Sequence, residues 1–88
     1  MRTIYKYPVL AIDEFAVEAH ADFAPLCVQV QGGAPFVWAV VDPETPPTKQ
    51  VFQLRGTGHP LRNVGRYVGT FQQDGGALVF HLFWGTRP

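Results

Sequence analysis

The sequence predicts one all-β domain, a small antiparallel sandwich or barrel of about seven short strands. Apolar side chains alternate with polar ones at a period of two along most of the chain. Clusters of glycine, proline and aspartate interrupt this alternation at intervals of about 8 to 12 residues, a spacing typical of turns in small β-proteins. The chain has 88 residues, which predicts a single domain covering residues 1–88.

Each predicted strand is bounded by residues that favour turns. Pro8 ends the first strand, and Gly32-Gly33 predicts a hairpin turn between the third and the fourth. Asp74-Gly75-Gly76 predicts the last hairpin turn, and the proline-rich segment 42–47 predicts a surface loop that no strand crosses. In chain order, the predicted strands cover residues 3–7, 14–18, 26–31, 36–41, 51–55, 67–72 and 77–84.

The third and fourth strands predict which faces are buried. Leu26, Val28 and Val30 alternate with polar side chains, and this predicts that the three lie together on one face of the third strand. The run 36–41 is apolar on both faces, which predicts a central strand or a strand covered by another subunit.

Two segments depart from simple alternation. Residues 13–23 fit a strand, because Phe15 and Val17 alternate with polar residues, but they also fit an amphipathic helix of one or two turns. Gly69 interrupts the sixth predicted strand, where glycine is typical of a β-bulge or of a close approach by another backbone.

The composition predicts an oligomer. The chain is 47% hydrophobic and 14% aromatic. Only 16% of its residues are charged, against roughly 25% in average soluble domains. Cys27 is the single cysteine, so no disulfide within the chain can stabilise so small a core. We therefore expect an apolar surface that is buried against a second copy or a partner.

Charge and hydropathy disfavour two classes of partner. The net charge is zero and no lysine or arginine cluster is present, so we expect no nucleic-acid partner. No apolar run approaches the roughly 20 residues of a transmembrane helix, so we expect no membrane partner. The single unpaired cysteine is compatible with a reducing compartment, which predicts a soluble intracellular protein.

The loop 56–61, with the sequence Gly-Thr-Gly-His-Pro-Leu, is the first candidate contact site. Its glycines permit a positive φ, and its backbone amides, hydroxyl and imidazole could surround an anion. Two arginines flank it and could pair with a phosphate or carboxylate. The alternative is a tight turn without a ligand, and the spacing matches no common nucleotide-binding motif. The candidate residues here are Arg55, Gly56, Thr57, Gly58, His59 and Arg62.

Aromatic residues form the second candidate set. Trp38, Tyr67 and Trp84 are the members we predict to contact a ligand or partner, since Trp and Tyr are enriched in surfaces buried between molecules. An aromatic ring beside an anion-binding loop would also suit a nucleotide. The alternative is that large side chains fill a small core.

The sequence predicts neither an enzyme nor a metal or cofactor site. His20, His59 and His81 lie in separate segments without the spacing of metal ligands. His81 alternates with Val79 and Phe83, which predicts a half-buried, hydrogen-bonded residue or an interface residue. The carboxylates fall mostly at turns and strand ends, and no spacing indicates a catalytic pair.

The chain resembles a family of short proteins encoded by tailed phages and prophages. The matching segments are RTIYKYP at 2–8, VQVQ at 28–31, WAVVDP at 38–43, GTGHP at 56–60, YVGTFQ at 67–72 and GGALVFH at 75–81. Their order and spacing carry the resemblance over nearly the whole chain, and residues 16–25 match least.

The resemblance implies a phage accessory protein in the host cytoplasm, but no activity, cofactor or catalytic residue. Small non-enzymatic phage proteins commonly block host defences by binding. We therefore expect an antagonist of host defence that captures a host protein. One alternative is an oligomer that sequesters a small nucleotide at loop 56–61. A second alternative is a minor virion or assembly component.

Overall fold

Seven β-strands form the protein in the computed structural model, which describes residues 1–86. A short 3-10 turn, Asp74–Gly76, joins the last two strands. The all-β prediction is confirmed, and the helical alternative for residues 13–23 is wrong, because they contain β2 and the start of β3. The strands are β1 (Thr3–Pro8), β2 (Glu14–His20), β3 (Phe23–Gln31), β4 (Ala34–Val41), β5 (Pro47–Gly56), β6 (Arg66–Gln73) and β7 (Leu78–Trp84).

The strands make two sheets in which every neighbouring pair is antiparallel. The three-stranded sheet has the order β1-β4-β3, and the four-stranded sheet has the order β2-β5-β7-β6. The strand β4 is central in its sheet, which is one of the two alternatives that its apolar character on both faces predicted. The edge strands β3 and β6 lie beside each other, and we call this junction of the two sheets the seam.

The core consists of the inward-facing side chains of both sheets. Phe52 stacks on Phe15 at a ring-centroid distance of 5.4 Å and meets the edge of Phe23 at 6.0 Å. Burying side chains of this size stabilises the fold by roughly 1.5 to 3 kcal/mol each. The side chains with no exposed surface are Val37, Ala39, Val41, Phe52 and Leu82.

The hairpin turns match the sequence prediction. Gly32 and Gly33 adopt φ values of 59° and 83° between β3 and β4, and the segment Asp74–Gly76 connects β6 to β7. The strand β5 begins at Pro47, four residues before the predicted start at 51, because proline is tolerated as the first residue of a strand.

No helix within residues 1–86 is long and apolar enough to cross a membrane.

One predicted face is wrong because β3 contains a bulge. The register with β4 shifts between Pro25 and Cys27, so Leu26 is an extra residue. Leu26 is consequently 53% exposed, whereas Val28 is 6% exposed. Val30, near the hairpin end of the strand, is 39% exposed. The alternation assumed an uninterrupted strand, and an extra residue reverses the face of every side chain before it.

Candidate functional site

The loop after β5 is tied to the outward face of the four-stranded sheet. Gln53 points outward, between the inward-facing Phe52 and Leu54, yet it is only 2% exposed. Its side-chain oxygen accepts a hydrogen bond from the Gly65 backbone N–H at 2.8 Å. Its side-chain nitrogen donates to the Gly85 carbonyl, also at 2.8 Å. One buried amide therefore anchors the end of the loop and the end of β7.

Arg55, a predicted anion ligand, donates hydrogen bonds to three backbone carbonyls. Its guanidinium reaches Asp13 O at 2.7 Å and Leu54 O at 3.0 Å. It also reaches Arg62 O at 3.0 Å. These bonds join β5 to the start of β2 and to the loop. Much of the hydrogen-bonding capacity of Arg55 is therefore used within the protein.

The Gly-Thr-Gly-His segment forms a tight turn beside a shallow groove. The His59 N–H donates to Gly56 O at 3.1 Å, and Gly58 has a φ of 88°. The His59 ring lies over Gly56, so closely that a Cβ at position 56 would lie 2.9 Å from Cε1 of the ring. Gly56, Thr57 and His59 line a groove of about 240 Å³ together with Val79, whose carbonyl accepts from the Thr57 N–H at 3.1 Å.

A chain of hydroxyl groups and one imidazole lies on the same outward face. Thr57 Oγ1 is 2.8 Å from His81 Nε2, and Thr70 Oγ1 is 2.9 Å from His81 Nδ1. Tyr67 Oη is 2.6 Å from Thr70 Oγ1. His81 thus brings together two predicted site residues, Thr57 and Tyr67. It was not among the predicted site residues, but its alternation with Val79 and Phe83 correctly indicated a half-buried, hydrogen-bonded side chain.

Trp38 lies on the outward face of the other sheet, away from the loop. It alternates with the buried Val37 and Ala39 on β4. Its ring meets the edge of Phe36 at 6.1 Å, and Lys6 Nζ lies 4.4 Å from the centroid of the Phe36 ring. The register of the sheet places further apolar side chains on this side. We call this surface the apolar face, and its members are Ile4, Cys27, Phe36, Trp38 and Val40.

The outward faces of the two sheets differ in polarity. The four-stranded sheet presents acidic and basic side chains, among them Glu14, Glu18, Lys49 and Arg55. On the apolar face, Lys6 is the charged neighbour, and it donates to the Gln31 side chain at 2.6 Å. All three outward residues of the central strand β4 between 36 and 40 are apolar. The outward row of the central strand β4 is thus apolar and half-buried, and exposed large apolar side chains also lie elsewhere, among them Leu10, Ile12 and Leu61.

Trp84 lies at the seam rather than beside the loop. Its ring is 5.8 Å from that of Phe23, and its Nε1 donates to Gln50 Oε1 at 2.9 Å. The nine predicted site residues therefore occupy three places. Arg55 to His59, Arg62 and Tyr67 lie at or beside the loop, Trp38 lies on the apolar face, and Trp84 borders the seam.

Sequence comparison assigns the chain to a family. A family model described as a domain of unknown function, DUF7352, matches residues 1–88. The chain belongs to the DUF7352 family. No curated protein and no solved structure matches it.

The remaining electrostatic features of the DUF7352 chain lie at its amino-terminal end. The Met1 ammonium contacts Glu44 at 2.6 Å and Asp42 at 3.3 Å. These hydrogen bonds raise the pKa of the Met1 amine above 8.0, with Glu44 contributing most. The pKa of Asp42 is lowered below 3.8, chiefly by the hydrogen bond from the Glu44 N–H. Within residues 1–86, no three His, Cys, Asp or Glu side chains are grouped as a metal site.

Proposed function

We propose that this DUF7352 protein is a non-enzymatic binding protein that captures a protein partner on its apolar face. The resemblance to phage and prophage proteins supports the wider proposal that it is a phage accessory protein and antagonises a host defence system in the host cytoplasm. The observation that carries protein capture is the outward row Phe36, Trp38 and Val40 on a central strand.

Leaving the exposed part of this apolar row in water is unfavourable. Contiguous apolar surface of this kind is typical of protein interfaces, and tryptophan is enriched among the residues that contribute most to binding. Ile4, beside Val40 on β1, is 56% exposed. A partner that covered Ile4 and Trp38 would remove apolar area from water at roughly 25 cal/mol per Å². Lys6 would then lie at the polar rim of the interface.

Nucleotide sequestration at loop 56–61 is the less favoured alternative. It requires Arg55 and Arg62 to surround an anion, but the Arg55 guanidinium donates to three carbonyls of its own chain. A homo-oligomer or a virion component would use the same apolar face. In a homo-oligomer the apolar face would contact a second copy of this chain. In a virion component it would contact another phage protein, rather than a host protein.

The experiment is affinity capture with matched surface variants. Trp38→Glu places a charge in the apolar face, and Ala16→Glu places one on an exposed outward position of the other sheet. Both tagged variants and the wild type are recovered from bacterial lysate, and co-purified proteins are identified by mass spectrometry and re-tested in purified form. We expect one host protein to bind the wild type and Ala16→Glu but not Trp38→Glu.

The functional readout is plaque formation by a phage on a bacterial host that carries the defence system to which the captured host protein belongs. We expect the wild type and Ala16→Glu to restore plaques and Trp38→Glu to fail, with all three proteins melting at similar temperatures. A folded Trp38→Glu variant that retains both the partner and the plaque phenotype contradicts the proposal. Solution mass of the purified protein shows whether the face is covered by a second copy instead.

A further inference from the structure

A cavity of about 300 Å³ opens at the seam between the two sheets. This volume lies at the lower end of the range of small-molecule sites, about 300 to 1,000 Å³. The residues around it that matter here are Pro25, Leu26, Arg66, Tyr67, Val68 and Trp84. None of its lining residues belongs to the apolar face or to loop 56–61, so what it binds is independent of the proposed function.

Two β-bulges, one in each sheet, border this cavity. The β3 register with β4 omits Leu26, and the β6 register with β7 omits Val68. Both extra residues line the cavity. A bulged residue is left out of the sheet ladder, so its backbone N–H and C=O can bond to another molecule. Such bulges are over-represented next to functional sites.

The seam is closed tightly on one side of the bulges. Gly69, directly after Val68, lies against Val28 of β3, and a Cβ at position 69 would be 2.8 Å from Val28 Cγ1. The close contact between the two strands at Gly69 therefore borders the cavity, which Leu26 and Val68 line.

The cavity combines an aromatic ring with a cation. Arg66 is the cross-strand partner of Trp84, which places the two side chains on the same face of the sheet. Arg66 is exposed. Ion pairs within residues 1–86 are made by Met1 and Arg2, and Arg66 has no carboxylate partner there. The ring of Tyr67 packs outward on Phe83 at 5.8 Å, so Trp84 is the aromatic wall.

We propose that the seam cavity binds a nucleoside monophosphate, a small anion with one planar base. The base stacks on Trp84, and the phosphate pairs with the Arg66 guanidinium, whose parallel N–H groups can bond to two phosphate oxygens. The backbone groups at Leu26 and Val68 bond to the edge of the base. The cavity volume of about 300 Å³ is of the size that holds a single nucleotide unit.

The test uses the two indole N–H signals in heteronuclear NMR, since the chain has two tryptophans. Trp38→Phe assigns them, because it leaves Trp84 as the remaining tryptophan. AMP, GMP, CMP and UMP are titrated to millimolar concentration, and adenosine, inorganic phosphate and benzoate are added in separate samples. We expect at least one monophosphate to shift the Trp84 indole and the Leu26 and Val68 amides saturably, with the Trp38 indole unchanged.

Two charge-removing variants give the matched comparison. Arg66→Gln removes the proposed phosphate partner, and we expect it to weaken binding about tenfold, since a charge-assisted hydrogen bond is lost. Lys49→Gln removes an exposed cation of β5 that lies outside the cavity and leaves the affinity unchanged. The proposal is overturned if no monophosphate shifts Trp84, if Lys49→Gln weakens binding as much as Arg66→Gln, or if benzoate or phosphate alone binds as tightly as the monophosphates.

Discussion

Gly69 of β6 packs directly against Val28 of β3, and this contact joins the two sheets at the seam. A Cβ built at position 69 would lie 2.8 Å from Val28 Cγ1. Val28 is 6% exposed and belongs to the core. Because both partners are held by their own sheets, little space is available for a larger side chain.

Gly69→Ala is therefore expected to destabilise the protein by about 2 kcal/mol, the usual cost of overpacking a core. Chemical denaturation measures the change. The double variant Gly69→Ala/Val28→Ala removes the clashing methyl group, so its loss of stability should be smaller than the sum of the two single losses. Strict additivity of the two losses would contradict the contact.

Gln53 is expected to be a main stabiliser of the loop between β5 and β6. Gln53→Leu keeps the volume but leaves the Gly65 N–H and the Gly85 carbonyl without their bonds. We predict a loss of about 3 kcal/mol, since each buried group without a partner costs about 1 to 3 kcal/mol. Gln29→Leu, at an exposed position, is the control and should change little. Equal stabilities of the two variants would show that the Gln53 bonds contribute nothing.

Removal of the Tyr7 hydroxyl is expected to stabilise the protein. Its Oη is buried and has no hydrogen-bond partner within residues 1–86, and burial raises the pKa of this phenol above 10.0. Tyr7→Phe should raise the unfolding free energy by about 1 kcal/mol, because the desolvated hydroxyl is lost while the ring contact with Phe23 remains. Tyr5 is 43% exposed, so Tyr5→Phe should be neutral. A destabilised Tyr7→Phe would contradict this assignment.

Asp42 is expected to give a stability contribution that depends on pH. Its folded-state pKa lies below 3.8, so its contribution is present above that pH and is lost as the pH falls through the lowered pKa. The Met1 amine has a raised pKa, so its contribution is present below pH 8.0 and is lost as the pH rises through the raised value. The ion pair between Met1 and Asp42 therefore stabilises the folded protein at pH values between the two pKa values.

Asp42→Asn tests this dependence because the side-chain oxygen that accepts from Glu44 N–H is retained. Thermal melting should show a small loss relative to the wild type near neutral pH, since the pair is exposed. The difference should vanish at a pH well below 3.8, where the wild-type carboxylate is also neutral. A difference that is constant over the whole pH range would exclude the charge as its source.

The strands and their turns could be predicted because both depend on local sequence. Alternation together with short apolar and β-prone runs indicates all seven strands, and Gly32-Gly33 and Asp74-Gly75-Gly76 mark two of the turns. Gly69 was also informative, since it indicated both the β6 bulge and the close approach to β3. The bulge at Leu26 could not be predicted, because no glycine or other typical bulge residue occurs at that position. The exposure of Leu26 follows from the pairing of β3 with β4.

The site residues could not be grouped from sequence because their partners are distant in the chain. Arg55 looked free to bind an anion, but the carbonyl of Asp13 reaches it from the start of β2. Trp38 and Trp84 were grouped as aromatic contacts, although one points outward from β4 and the other borders the seam. Which face of which sheet a strand residue occupies depends on pairing that local sequence does not encode.

Photo-cross-linking in the cell tests the apolar face most directly. A photoreactive benzophenone amino acid replaces Trp38 in one variant and Ala16, outward on the other sheet, in a second, and both are expressed in a bacterial host. We predict a cross-linked product at position 38 that contains a host protein, and none at position 16. A host-protein product at position 16 alone, a position-38 product that contains a second copy of this chain instead, or no product at either position would contradict protein capture.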